Sequence, residues 1–174
     1  MITVRPLRLP DDRGAVEKID ASVPIDAAWV MHSTSNGFEL VLRALGEPRV
    51  KRYVVPVDEI ATAGCALVAE RDGVVSAVAS VDVHAWNRRA VLAHLYVDRA
   101  ARRSGLGRAL VSQLEHEARS RGATRLWVET QNVNAAALAF YRRCGFALCG
   151  LDASLYEPTM LPDEIALFLV KQLS

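Results

Sequence analysis

The chain has 174 residues, 51% hydrophobic and 24% charged, with a formal net charge of +1. That length and balance suit one globular domain with a sizeable core, and they leave no basic excess of the kind a nucleic-acid binder carries. The longest clean apolar run, Ile165-Ala166-Leu167-Phe168-Leu169-Val170, is far too short to span a bilayer.

The N-terminus, Met1-Ile2-Thr3-Val4-Arg5, has no apolar stretch leading to a small-residue cleavage site, so no secretory signal is expected. Cys65, Cys144 and Cys149 are odd in number and lack metal-ligand spacing. They predict buried thiols, a reducing cytoplasm and no metal.

A first strand is expected at 3 to 6, followed by a helix capped by Asp11 and Asp12 that carries Val16 and Ile19. From 22 to 60 no period is sustained, and Pro24, Pro48 and Pro56 interrupt the pattern. The reading there is a short helix near 26 to 32 and a strand near 37 to 43. Two β-rich runs, 66 to 70 and 74 to 83, flank Arg71-Asp72-Gly73 and predict a hairpin. A strand at 91 to 97 sets Val91, Ala93, Leu95 and Val97 on one face and Leu92, His94 and Tyr96 on the other.

A helix over 105 to 121 comes next, with Leu106, Leu110, Val111, Leu114 and Ala118 on one stripe and Gly122 as its stop. A strand at 125 to 130, a helix at 134 to 144 ended by Gly145, and strands at 146 to 151 and 165 to 170 complete the chain. An antiparallel front half and a β-α-β-α-β back half predict an α/β sandwich around one twisted, mixed sheet, in a single domain over 1 to 174.

The segment that carries chemistry is strand, then Arg102-Arg103-Ser104-Gly105-Leu106-Gly107-Arg108, then helix. A helix N-terminus offers unpaired backbone N–H groups and a positive dipole end. Glycines let a pyrophosphate approach, arginines add charge-assisted bonds, and Ser104 offers a hydroxyl. No Gly-Lys-Ser/Thr is present after the glycines, which excludes a P-loop, and no third glycine stands where a dinucleotide fingerprint needs one. The bland alternative is a solvated basic turn with flexible glycines. Further on, Asn134 opens a helix and Tyr141 lies seven residues later, about two turns along the same face. An amide and a phenol so placed could grip one extended ligand, the phenol protonating a departing thiolate. An N-cap and a core aromatic are the bland readings of the same two residues.

The series Leu95-Tyr96-Val97, Arg102-x-x-Gly105-x-Gly107-Arg108-Ala109-Leu110 and Asn134-x-x-Ala137-x-x-Phe140-Tyr141-x-x-x-Gly145-Phe146 resembles the GNAT N-acetyltransferase superfamily over residues 66 to 152. Within it the chain is most similar to the streptothricin (nourseothricin) acetyltransferases. That likeness rests on Trp86-Asn87-Arg88-Arg89, Leu126-Trp127-x-Glu129, Asn132-Val133-Asn134-Ala135, Leu148-Cys149-Gly150-Leu151-Asp152 and Leu155-Tyr156. Glu164-x-Ala166-Leu167 and Asp26 with Gly37-Phe38 extend it over most of the chain.

The resemblance implies a GNAT-like α/β sandwich with a splayed central sheet, and acetyl-CoA wedged between the strands at 91 to 97 and 125 to 130. It implies pantetheine on the backbone of Leu95, Tyr96 and Val97, pyrophosphate on the turn 102–108, and Asn134, Ala137 and Tyr141 near the far arm and the sulfur. It implies direct attack of a small-molecule amine on the thioester. Asp26, Trp86, Asp152 and Tyr156 would line the acceptor site; the bland readings are packing for Trp86 and a polar surface loop for Asp152 and Tyr156. A homodimer is a family likeness only. The alternatives are acetylation of a protein N-terminus or lysine, and a non-catalytic acyl-CoA sensor.

The chain departs from that resemblance at one place. Where the streptothricin enzymes are acidic along the strand entering the turn, it has Ala93, His94 and Tyr96. An alkyl ammonium of pKa ~10.4 is only about one part in 2,500 neutral at pH 7, a cost of roughly 4.6 kcal/mol. Positioning can supply roughly 7–11 kcal/mol, so a base helps without being obligatory. The candidates are Glu129 and His94, each with a structural alternative: an ion pair with an arginine for Glu129, a hydrogen-bonded core histidine for His94.

Overall fold

The structure, a computed structural model, describes residues 1–157 and 163–173. In chain order the elements are β1 (Ile2–Pro6), α1 (Arg13–Glu17), β2 (Val23–Thr34), β3 (Gly37–Lys51), α2 (Val57–Thr62), β4 (Cys65–Arg71), β5 (Val74–His84), β6 (Arg89–Val97), α3 (Leu106–Ser120), β7 (Arg125–Gln131), α4 (Ala135–Arg143), β8 (Ala147–Asp152) and β9 (Ala166–Gln172). Seven strands hydrogen-bond in the order β1-β4-β5-β6-β7-β9-β8, and β2-β3 form a separate ribbon. Contacts divide the chain into two units. One holds Met1–Ser22, Arg52–Val128 and the residues from Val170 on; the other holds Val23–Lys51 and the described part of Glu129–Leu169. Among the described residues no helix is long and apolar enough to cross a membrane.

In the first unit, β1, β4, β5 and β6 pair antiparallel and β6 pairs parallel with β7. The β4–β5 hairpin turns at Asp72 and Gly73, both at positive φ (53° and 82°), the mirror-image turn that matches strand twist. Strand alternation sorts the core. Val68 and Val78 meet Val16 of α1, Ile19 beyond its end and Ile60 of α2. The alternate residues Leu67, Ala69, Ala77 and Ala79 are just as deeply buried, and α3 packs against β4 and β5 there. Small alanines on that face let α3 come close, and its stripe of Leu106, Leu110, Val111, Leu114 and Ala118 is buried as its spacing predicts. Each fully buried leucine contributes about 2–3 kcal/mol.

Asp12 stands at the N-cap of α1, but its carboxylate makes no cap bond. It accepts from Arg5 Nη1 and Nη2, both at 2.7 Å, and from the Arg8 backbone N–H at 2.8 Å. A fork of two charged bonds outcompetes one neutral capping bond. The thiols also differ from expectation: Cys65 and Cys144 are half-buried and Cys149 is exposed.

In the second unit the helix expected near 26 to 32 is absent, because β2 runs through it. It pairs with β3 from Thr34↔Gly37 to Val23↔Lys51, across the two-residue loop Ser35-Asn36. Pro24 and Pro48 lie inside these strands, and Pro48 falls in the stretch 45–48 that the register shift leaves out of the ladder, where a missing N–H costs no pairing. Asn132 pins this unit together. Its side chain donates to Trp29 O (3.0 Å) and Asp163 O (3.2 Å) and accepts from Ile165 N–H (2.9 Å).

Candidate active site

The first unit builds a strand with an open edge that ends in a basic turn. The parallel β6–β7 pairing runs from Arg89↔Arg125 to Leu92↔Val128. At that point β6 bulges: Leu92 faces Val81 and His94 faces Ser80, which leaves Ala93 as the extra residue. A bulge bends its strand and re-aims the residues beyond it, so the simple two-face alternation expected for 91 to 97 breaks at Ala93. Past the bulge Leu95, Tyr96 and Val97 pair with Ala79, Val78 and Ala77 of β5, and within this unit their other edge has no strand partner among the described residues. That edge offers backbone N–H and C=O groups to a ligand.

The turn is braced from within. Arg102 Nε donates to Val97 O at 3.2 Å, and Ser104 Oγ donates to Ala101 O at 2.5 Å. The hydroxyl hydrogen expected to meet a phosphate is therefore spent on the turn, and Ser104 serves as a brace. Arg103 and Gly105 take positive φ, 62° and 97°. A Cβ on Gly105 would also come within 3.4 Å of Ile2 Cδ1. Ala109 N–H closes the first helical bond on Gly105 O at 3.0 Å, which leaves the amides of Leu106, Gly107 and Arg108 at the exposed end of α3. Arg103 and Arg108 are exposed and Arg102 is half-buried, so basic charge surrounds these amides.

His94 is the next residue after the bulge. Its ring stacks on Tyr96 at 6.1 Å, and Nε2 lies 3.9 Å from Glu59 Oε2 on α2. Burial pushes the imidazole below its ordinary pKa of 6.5, while Glu59 and Asp82 pull the other way. Burial likewise raises the Tyr96 phenol. Trp86 is 84% exposed on the β5–β6 connection, at the opposite end of β6 from the turn. Trp127 packs under Arg89, whose guanidinium carbon lies 4.9 Å from the ring centre.

The second unit holds the remaining candidates. Asn134 is the N-cap of α4, its Oδ1 accepting from Ala137 N–H at 3.0 Å, so these two predicted residues are each other's partners. Tyr141 is buried, edge-on to Phe140 at 5.3 Å and Phe146 at 5.5 Å. Glu129 meets Tyr156, whose hydroxyl donates to Oε1, in place of the arginine of its structural alternative. Burial raises the Glu129 carboxyl, with the Tyr156 bond and the Lys51 charge opposing it. Burial and the Glu129 carboxylate push the Tyr156 phenol far up. Lys51 itself pairs with Glu164. Asp152 holds Ser154 N–H and Oγ, both at 2.7 Å, which keeps its carboxyl low. Asp26 is exposed at the bulge in β2. Among the described residues no group of His, Cys, Asp and Glu could hold a metal ion.

The site is thus an open strand edge leading into a glycine- and arginine-bearing helix start. The acetyltransferase (GNAT) family matches residues 36–146. The chain belongs to that family. Streptothricin acetyltransferase of Streptomyces lavendulae is 36% identical over 171 residues, 92% of this chain and 89% of that protein. A solved nourseothricin acetyltransferase superposes with a TM-score of 0.88 at 35% identity, covering 99% of both chains. A candidate streptothricin acetyltransferase from Bacillus anthracis str. Ames, solved in complex with acetyl coenzyme A, has a TM-score of 0.85 at 25% identity over 99% of both chains. The fold is the GNAT fold, a mixed seven-stranded sheet with flanking helices, and the protein is a GNAT acetyltransferase. Glu59, Ser80 and Asp82, which surround His94, carry no sequence motif of their own; only the pairing in space reveals them.

Proposed function

We propose that this GNAT acetyltransferase moves an acetyl group from acetyl-CoA to a primary amine of a small molecule of the streptothricin type. The observation that carries the reading is the open β6 edge ending at three amides and three arginines on the start of α3. Acetyl-CoA supplies the activated acetyl group. The backbone of Leu95, Tyr96 and Val97 pairs with its pantetheine arm. The amides of Leu106, Gly107 and Arg108 receive the pyrophosphate, with Arg102, Arg103 and Arg108 supplying charge. The left-handed positions at Arg103 and Gly105 fit this use, because they turn the chain so that the helix end faces outward.

The roles of the other candidates belong to the same proposal. Tyr141 protonates the departing sulfur, and Asn134 and Ala137 contact the cofactor's arm. Glu129 or His94 takes the amine's proton, and Asp26, Trp86, Asp152 and Tyr156 receive the acceptor. Streptothricin-type acceptors are proposed on the strength of relatives that carry that name. Acetylating such an antibiotic would remove a cationic amine and protect the host cell. The absence of a disulfide among the described residues suits a reducing cytoplasm. The chain crosses between its two units inside β7 and β9, which supports one domain. A panel of primary amines, streptothricin first, tests the reading by amine-dependent thiol release from acetyl-CoA; release without any amine dependence overturns it.

A further inference from the structure

The β2–β3 ribbon has two long edges, and its hydrogen bonds tell them apart. Trp29 N–H donates to Asn132 O, and the Asn132 side chain donates to Trp29 O, both at 3.0 Å. A strand residue points its N–H and C=O to the same side, so Trp29 turns both away from β3. Trp29 stands opposite Leu42, which makes theirs a non-hydrogen-bonded pair. Leu42 therefore turns its own N–H and C=O to the outer edge of β3, and by alternation so do Phe38, Leu40 and Ala44. No strand among the described residues pairs with that edge. The side chains of Phe38, Leu40 and Leu42 share one face with Trp29 and Met31 of β2, and Phe38 and Leu42 are 46% and 49% exposed. Glu39, Val41 and Arg43 occupy the other face. Glu39 and Arg43 are exposed and make no ion pair among the described residues.

An unpaired, largely apolar edge is a template for another strand. The order Glu39-Leu40-Val41-Leu42-Arg43 says which strand fits, because it complements itself when reversed. We propose that a second copy of this chain pairs with this edge, β3 against β3 antiparallel, about a two-fold axis at Val41. Glu39 then faces Arg43 of the second copy and Arg43 faces its Glu39, while Leu40 meets Leu42 and Val41 meets Val41. Such an interface uses one patch twice, as two-fold dimers do. The two ribbons join into one four-stranded sheet whose apolar face runs across both copies. The pairing is independent of which amine is the acceptor.

The hydrogen-bond phase agrees with this register. Leu40 and Leu42, whose backbone groups point outward, lie opposite each other and exchange N–H···O=C bonds across the axis. Glu39, Val41 and Arg43 fall at the non-hydrogen-bonded positions, where opposing side chains come closest and opposite charges attract most. Other registers fit less well. An axis between two residues sets outward-pointing backbone against inward-pointing backbone. An axis at Leu40 or Leu42 leaves both charges opposite uncharged residues. An axis at Arg43 sets arginine against arginine and Glu39 against Glu47. An axis at Leu45 pairs Arg43 with Glu47, but it sets Pro48, which has no N–H, against Leu42 and uses the stretch 45–48 that lies outside the ladder.

Sedimentation of the full chain over a range of concentrations, with native mass spectrometry of mixed variants, tests the proposal. The wild type should dimerise reversibly. Glu39→Arg and Arg43→Glu should each weaken dimerisation roughly tenfold or more, because each turns both ion pairs between the copies into like-charge contacts. Both changes are at exposed positions, and circular dichroism should show both variants folded. Mixed together, one of them isotopically labelled, the two variants should form a heterodimer of about wild-type affinity, since every charge again meets its opposite. The axis at Leu45 predicts no such rescue. A wild type that stays monomeric at every concentration overturns the proposal and leaves the edge to a different partner. A dimer unmoved by either reversal, or two variants that do not prefer each other, overturns the pairing of β3 about Val41.

Discussion

At the scale of single residues, the glycines of the turn and the phenol of α4 carry the sharpest predictions. Gly107 presents its amide at the start of α3, and a branched side chain there would stand in the proposed pyrophosphate site. Gly107→Val should weaken acetyl-CoA binding roughly 10- to 100-fold by calorimetry, with little change in thermal stability. Unchanged affinity would move the cofactor elsewhere. Tyr141→Phe keeps the ring contacts with Phe140 and Phe146 while removing the hydroxyl. If Tyr141 is the acid, kcat falls about 100-fold at constant acetyl-CoA affinity; intact turnover removes it from that role. The glycines and arginines of the turn are legible because a strand, a glycine pair and an amphipathic stripe occur in direct succession. Ser104 is not, because nothing in a sequence says whether a hydroxyl will turn outward to a ligand or back to the Ala101 carbonyl. Asp12 escapes the sequence for a similar reason: its strongest partner, Arg5, sits on another element. That fork holds its carboxyl below the ordinary 3.8 despite partial desolvation. Its stabilising effect is fully present above the unfolded value and is lost as pH falls through the lowered folded one. Asp12→Ala should cost about 2–3 kcal/mol at neutral pH and make acid unfolding less steep, as measured by urea titration at neutral and acidic pH. An unchanged acid profile would mean the fork exists in the unfolded ensemble too.

At the scale of elements, period and capping decide what can be foreseen. α3 and α4 are legible from their apolar spacing and from Gly122 and Gly145 beyond their ends, both of which take positive φ. The β4–β5 hairpin is legible from Asp72-Gly73. The β2–β3 ribbon is not, because β3 is mostly exposed and β2 alternates only over Val23 to Asp26 before its pattern lapses. Asn36-Gly37 is the local signal available there. The bulge at Ala93 is equally hidden, since an extra residue shows only against the partner strand. It falls where the β6–β7 pairing stops, so one irregularity both ends the pairing and aims His94. Asn134 tests the cap of α4: Asn134→Ala should cost about 1 kcal/mol and lower Tm by roughly 2–4 °C in calorimetry. A larger loss of acetyl-CoA affinity than of stability would show that the same residue also serves the ligand.

At the scale of the whole molecule, the family match and the individual relatives cover different lengths of the chain. The GNAT family match spans residues 36–146, while the likeness to streptothricin and nourseothricin acetyltransferases extends over nearly the entire chain. The family match carries the reaction class, whereas the acceptor is read only from the names of individual relatives. That is why the reaction class is easier to read than the acceptor. The net charge of +1 offers no strong overall field that would steer a cation. The most direct test of the central claim is incubation of the protein with acetyl-CoA and streptothricin, reading the mass of the antibiotic and the thiol released in the same sample. One acetyl group added per thiol released is the predicted result. Acetyl-CoA bound at the turn with no acetylated amine formed would contradict it.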